Sequence, residues 1–470
     1  MNRYKKLLSD TVILGLGTFG SKLLVFLLMP FYTAWLSTSQ YSTAELITST
    51  ANLLIPLACV GITNGIFRFA AERRADQRAV FSTSMALLAM GLGGFCLLSP
   101  LLGLIDYFSG YTWLLVAYVF FANVQGVCAQ YVRAIDRPRL FAVQGILNTL
   151  LTIGCNLLFL AVWNMGVTGY VLSVVVGNLI TTVYLVFAVK LWRVFRIRAI
   201  DRTLMGELLR FSLPLIPTTV CWLITDLSDR YMVTYFCGSA VNGVYSAAYK
   251  IPTIVNLVSG IFLQAWQFSA VAESSDEKSC SNFYSQVFRG FLSLVFIGSA
   301  GLVLLSPLLT RLLLNVSFHG AREFMPTLLC AAALEAVVAF LASVYMVRKK
   351  SMHSFLTALI GTVANVLLNL LLIPRFGALG AAIATMAAYG LVLIARLIDA
   401  PRLISFRLYL PRLILNVGLL LGSAALITLD LPYAIWLSLL LTLAVTAINA
   451  PALLHTLRAL VQKRRDPTEK

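Results

Sequence analysis

Residues 168–190 read TGYVLSVVVGNLITTVYLVFAVK, and residues 191–210, which follow, read LWRVFRIRAIDRTLMGELLR. The first stretch carries no charge before Lys190. As a helix rising about 1.5 Å per residue it is long enough to cross a hydrocarbon layer of roughly 30 Å. The second stretch holds Arg193, Arg196, Arg198, Arg202 and Arg210. An apolar run closed by a cluster of bases is the pattern of a membrane helix that emerges on the cytoplasmic side.

Working outward, the same pattern recurs from end to end. Fourteen apolar runs are expected to span: 11–36, 43–67, 80–105, 112–132, 140–163, 168–190, 211–236, 244–271, 286–308, 324–347, 353–373, 378–398, 410–429 and 431–455. The composition agrees: 59% apolar and 12% charged over 470 residues, against about 45–50% and 25% in soluble chains. The expected fold is all-α and polytopic. The first run lacks a small-residue cleavage site and is expected to be a span, not a signal peptide. The last two runs are separated only by the residues around Asp430, and twelve spans is the alternative count.

The basic residues set the expected orientation. With the N-terminus inside, thirty of the 36 Lys and Arg fall on alternate, cytoplasmic segments: Arg3 to Lys6, Arg68 to Arg78, Arg133 to Arg139, Lys190 to Arg210, Lys278 to Arg289, Arg348 to Lys350, Arg396 to Arg412, and Arg458 to Lys470. Arg311, Arg322 and Arg375 fall on outer segments. Such a bias places both termini in the cytoplasm of a multi-pass cell-membrane protein. It also accounts for the net charge of +17 without a nucleic-acid partner, through topology and attraction to anionic lipid.

Other chemistries find little support. The eight cysteines are scattered with no CxxC pair, and the three histidines, His319, His353 and His455, are far apart, so no metal site is expected. No GxxxxGK[ST] phosphate loop occurs. No connection exceeds about 20 residues, too short for a soluble catalytic domain. No catalytic residue and no cofactor is assigned.

An internal repeat is visible. Tyr41-Ser42-Thr43-Ala44 returns as Tyr245-Ser246-Ala247-Ala248 at an offset of 204, and Met165-Gly166-Val167-Thr168-Gly169 as Phe376-Gly377-Ala378-Leu379-Gly380 at an offset of 211. The expected organisation is a six-helix lobe over 1–200, a second over 201–400 in the same topology, a central cavity between them, and an extra helix pair with a basic tail over 401–470. Transporters built on such repeats bind substrate near mid-membrane at the repeat interface.

Three bases escape the topological explanation by lying inside spans: Lys22, Arg230 and Lys250. Asp226, Asp229 and Arg230 share one helical face, and the 204 offset sets Lys22 opposite Asp226. Glu45 and Glu335 also lie within apolar runs. An ionisable group at mid-bilayer costs about 2.5–3.5 kcal/mol or more, so these face a cavity or a partner. Two readings stay open: an ion-pair network such as Arg230 with Asp226, or the lining of a hydrated cavity. A cavity holding Lys22, Arg230 and Lys250 suits an anion, since Arg forks onto phosphate and Lys adds a point charge. Asp226 and Asp229 then tune the bases or join Glu45 and Glu335 in carrying H+ or Na+. Asn256, Gln264, Trp266 and Gln267 on the eighth span are further candidate cavity residues.

The run ANVLLNLLLIPRFGALGAAIA at 364–384 closely resembles the C-terminal signature of polysaccharide biosynthesis proteins, the oligosaccharide flippases. DRYM at 229–232 followed by GVYSAAYK at 243–250 resembles the start of the second lobe in that family. Ser21-Lys22-Leu23 and the Leu36 to Tyr41 turn resemble its first span and outer loop, with Ser42 where the family usually has glycine. The resemblance covers most of 1–400. It implies membership of the multidrug/oligosaccharidyl-lipid/polysaccharide exporter superfamily, with two six-helix lobes forming a V around a cavity. It further implies flipping of an undecaprenyl-diphosphate-linked oligosaccharide, such as a polysaccharide or O-antigen-like repeat unit, to the outer leaflet by alternating access. The diphosphate would be held by Lys22, Arg230 and Lys250. A glycan polymerase and glycosyltransferases are the candidate protein partners. The alternative is a cation-coupled multidrug exporter of the same fold, whose cavity is expected to be more acidic and aromatic.

Overall fold

The computed structural model describes residues 26, 28–71, 76–104, 110–272, 277–348 and 350–465. Among them there is no β-strand. The chain divides into two compact units, Met1–Leu227 and Ser228–Lys470.

In the first unit the helices are α1 (Met29–Trp35), α2 (Thr38–Ala58), α3 (Ile62–Ala70), α4 (Gln77–Leu98), α5 (Thr112–Ala134), α6 (Pro138–Asn156), α7 (Gly166–Val189) and α8 (Arg202–Ser212); α9 (Ile216–Cys237) runs on across the division. The Leu36–Tyr41 turn is a capping box. Ser37 Oγ accepts from the Gln40 N–H, and the Gln40 side chain accepts from the Ser37 N–H. Asp76 and Asp201 cap α4 and α8 more simply, each side chain accepting from two backbone N–H groups of the first turn. Helix α5 packs on α7, α2 and α3, which gives this unit its core.

The predicted continuous span 43–67 is a bent pair, α2 and α3, meeting at 53°. Pro56 has no N–H to bond the Asn52 carbonyl one turn back. The chain then turns through Val60 and Gly61, both at positive φ (52° and 69°). Gly61 N–H bonds Pro56 O, and Val60 N–H bonds Leu57 O, closing the helix end.

In the second unit the helices are α10 (Ser239–Tyr249), α11 (Thr253–Ala272), α12 (Glu277–Leu313), α13 (Met325–Val347), α14 (Ser351–Leu403), α15 (Leu410–Thr428) and α16 (Ala434–Arg465). Helix α13 is buried over most of its length, packed by α14, α11, α12 and α15. As a straight rod the 53 residues of α14 would reach about 80 Å, far beyond one membrane crossing. They fold back at Gly377, whose φ 59° and ψ −144° are not helical. A Cβ at Gly380 would lie 2.4 Å from Leu372 O, and one at Gly361 would lie 2.5 Å from Val392 Cγ2. Asn365 bonds Thr385, and Arg396 bonds Thr357. Each pair joins residues on opposite sides of Gly377, and the outer pair encloses the inner one, so the arms run antiparallel and correspond to the predicted spans 353–373 and 378–398.

Ten described helices are long and apolar enough to cross a membrane, or up to twelve if each bent pair is one span. Counting the two arms of α14 separately adds one. Residues 11–25 and 27 of the first predicted span, 11–36, lie outside the described residues, so these do not establish a count of fourteen. The all-α polytopic class itself holds. Its surface is apolar as a membrane requires, with Leu97 80% and Leu312 65% exposed.

Candidate functional site

The second unit is organised around one carboxylate. Asp229, in mid-α9, is 1% exposed, and burying a lone charge is costly. Four neutral donors converge on it. Oδ1 accepts from Asn365 Nδ2 at 3.0 Å and Asn369 Nδ2 at 2.6 Å. Oδ2 accepts from Tyr245 OH at 2.9 Å and from Thr385 Oγ1. Asn365 and Asn369 stand one turn apart on the first arm of α14, Thr385 faces them from the second, and Tyr245 comes from α10. The arrangement extends outward: Asn365 Oδ1 accepts from Ser228 Oγ at 2.9 Å and from Asn369 Nδ2 at 3.1 Å. The buried Asn369 Oδ1 has no hydrogen-bond partner. The cage is thus rich in oxygens: one carboxylate, two amide carbonyls and two hydroxyls.

The bases stand beside this cage. The Arg230 guanidinium lies over the Tyr249 ring, 5.8 Å from its centroid, and Tyr249 packs against Tyr245 at 6.2 Å between centroids. Lys250 follows Tyr249 directly, half-buried at the break between α10 and α11. Asp226 is half-buried one turn before Arg230. Asp229 and Arg230 are thus tied to α10 through Tyr245 and Tyr249, and Lys250 is the residue that follows Tyr249. Lys22 lies outside the described residues.

The remaining acids are elsewhere. Glu335 on α13 accepts from Asn256 Nδ2 at 2.8 Å, joining α13 to α11. Glu45, in the first unit, is 1% exposed. Tyr170 OH donates to it at 3.0 Å. Tyr32 stands edge-on to Tyr170 at 5.1 Å, and Tyr32 OH accepts from Asn156 at 3.1 Å. The side chains of Gln264, Trp266 and Gln267 lie outside the described residues.

One charge is corrected. Arg396 was expected on a cytoplasmic connection but is 1% exposed. It donates to Val338 O at 2.7 Å and Thr357 Oγ1 at 3.0 Å, against the Tyr345 ring. Its neighbours supply neutral acceptors and an aromatic face, so a base inside the helix packing is tolerated. Sequence reasoning also missed Asn365, Asn369, Thr385 and Tyr245 as site residues. The signal was present in two asparagines at i, i+4 within an otherwise apolar run, a pair that demands a buried polar partner.

Among the described residues no group of three or more His, Cys, Asp and Glu gathers as a metal site. The sequence profile of the polysaccharide biosynthesis protein family matches residues 7–268. The chain belongs to this family. The run at 364–384, beyond the matched residues, lies in the hairpin of α14 that supplies Asn365 and Asn369 to Asp229.

Solved structures share the fold. The lipid II flippase MurJ in its inward closed conformation superposes with a TM-score of 0.68 at 13% identity, over 95% of this chain and 99% of that one. A multidrug resistance MATE family transporter of the MOP superfamily, inward-facing, gives 0.67 at 15% identity, over 81% and 95%. Its outward-facing form gives 0.61 at 15%, over 84% and 95%. At these identities the likeness is one of fold. No curated protein matches by sequence. The chain is a multi-pass membrane protein with the MOP transporter architecture, and its family and structural neighbours are transport proteins, not enzymes.

Proposed function

We propose that this protein flips an undecaprenyl-diphosphate-linked oligosaccharide from the cytoplasmic to the outer leaflet by alternating access of lobes 1–200 and 201–400. Lys22, Arg230 and Lys250 hold the diphosphate. The observation that carries the reading is the separation of charges around α9. Asp229 takes hydrogen bonds from four neutral groups, while Arg230 lies on an aromatic face. The planar guanidinium of Arg230 offers donors in the forked geometry that a phosphate takes. Membership of a polysaccharide biosynthesis family supports a lipid-linked glycan as the substrate class.

Asp229 then serves coupling instead of headgroup binding. A hard cation such as Na+ prefers a carboxylate with neutral oxygens. Asn369 Oδ1, buried without a hydrogen-bond partner, is an acceptor such an ion would satisfy. A proton on Asp229 would reverse one of its hydrogen bonds and serve the same end. Glu45 and Glu335 are secondary coupling candidates.

The test is export of surface glycan in cells carrying Arg230→Gln, Lys250→Gln or Lys22→Gln. Each is expected to abolish export at normal protein level; unchanged export removes that residue from the site. The fold likeness to a multidrug transporter keeps a second reading, cation-coupled drug export. Efflux of cationic dyes with no effect on surface glycan would establish it.

A further inference from the structure

The break in the second span opens a cleft with chemistry unlike that around Arg230. It holds about 190 Å³ of water-accessible space. Its polar walls are Asn52 on α2, Thr63 and Asn64 on α3, and Thr219 on α9, with Pro56 and Gly61 at the bend. Among the described residues none that lines it is charged.

Depth makes these residues informative. Asn52 is fourteen positions from the start of α2 at Thr38, about 20 Å along the helix axis, inside a layer roughly 30 Å thick. Asn52, Asn64 and Thr219 are all exposed. An amide turned toward lipid without a partner costs several kcal/mol. Two exposed amides on two helices, facing one cleft, therefore mark a hydrated surface, and the Thr219 hydroxyl lies on its third wall.

The backbone adds two further observations. Pro56 leaves the Asn52 carbonyl without the N–H that would bond it four residues on. Val60, a β-branched residue, is held at φ 52°, a strained conformation that persists only where packing enforces it. The enforcement is visible. A Cβ on Gly91 would fall 2.2 Å from Ala58 O, one on Gly65 2.6 Å from Ser212 Oγ, and one on Gly61 3.1 Å from Ser212 O. The bend is clamped, and the acceptors at its edge are fixed in place.

Amides, hydroxyls and a main-chain carbonyl with no fixed charge offer nothing particular to a diphosphate or an organic cation. They match a ligand that is neutral and dense in hydroxyl and amide groups. We infer that the cleft at the break of the second span is a sugar subsite, holding a glycosyl unit of the transported lipid through Asn52, Asn64 and Thr219. This rests on the flippase reading and divides recognition in two: bases for the headgroup, neutral amides for the glycan. The cleft has room for a sugar ring and not for a whole repeat unit.

The experiment uses the full-length protein in nanodiscs with two probes: undecaprenyl diphosphate bearing a disaccharide, and undecaprenyl diphosphate without sugar. Asn52→Leu and Asn64→Leu keep side-chain size and remove the amide. Expected are at least tenfold weaker binding of the glycosylated probe and unchanged binding of the bare one, which also shows that the variants are folded. Equal loss of both probes, or no loss of either, overturns the subsite. A wild-type protein that binds the bare probe but gains nothing from the sugar also overturns the subsite and leaves the flippase reading intact. A wild-type protein that binds neither probe overturns both.

Discussion

A carboxylate in the interior of a membrane protein is tolerated only if its oxygens find donors, and Asp229 finds four, one on α10 and three on the two arms of α14. Two substitutions separate its charge from its shape. Asp229→Asn keeps the volume, and the Tyr245 and Thr385 hydroxyls can turn to accept from the new amide. Asp229→Ala leaves all four partners buried and unsatisfied, at about 1–3 kcal/mol for each group that finds no substitute. Thermal unfolding in detergent is expected to rank wild type above Asp229→Asn and Asp229→Ala lowest. Both variants are expected to lose the dependence of transport on an imposed Na+ or H+ gradient. An Asp229→Asn protein that keeps that dependence removes Asp229 from coupling. The sequence exposed Asp229 as anomalous because charge in an apolar run is conspicuous. It did not expose the partners, because asparagine, threonine and tyrosine are common in spans and the folding-back of α14 that gathers them is not written in any single residue.

At the scale of the element, α14 shows how small residues permit a turn within a long apolar stretch. Pro374 and Gly377 break the helix, and Gly380 lets the second arm return over the end of the first, with Leu372 O only 2.4 Å from where a Cβ would stand. Gly361 permits a close approach of a different kind, to the Val392 methyl at 2.5 Å. A backbone carbonyl cannot move without opening the turn, whereas separating two packed side chains costs less. Gly380→Ala is therefore expected to lower the unfolding temperature more than Gly361→Ala, with losses of about 3 and 1 kcal/mol respectively. The reverse order would mean that the arms, and not the turn, limit the hairpin. Because Asn365 and Thr385 lie on opposite arms, Gly380→Ala is also expected to disturb Asp229. Both arms were legible from periodic apolar runs parted by Pro374, Arg375 and Gly377. The break in α2 was less so. Pro56 is common enough in membrane helices, and Val60 in a left-handed conformation runs against its own propensity, so only tertiary packing by Gly91 and Ser212 enforces the bend.

For the whole molecule, the distribution of charge makes a claim about orientation. At one end of the α14 hairpin Arg348 Nε bonds Leu403 O, and His353 Nδ1 meets Asp399 Oδ2 at 2.9 Å. Lys350, Arg402 and Arg407 follow at or just beyond the same end of the chain path. The opposite end, the turn, carries Arg375 alone. Thirty bases against three over the whole chain point the same way, and Arg396 leaves that balance intact although it is buried. Bases near span ends resist translocation, so the heavily basic ends are expected to stay in the cytoplasm. A fluorescent protein fused after Lys470 is then expected to fluoresce, and alkaline phosphatase fused there to be inactive. Phosphatase inserted at the Arg375–Phe376 turn is expected to be active, and at Ile404, 28 residues on, inactive. The opposite pattern at all three positions would invert the molecule, put the turn of α14 in the cytoplasm, and require the lipid-linked glycan to reach Arg230 from the other leaflet. That would overturn the direction of transport while leaving the site itself in place.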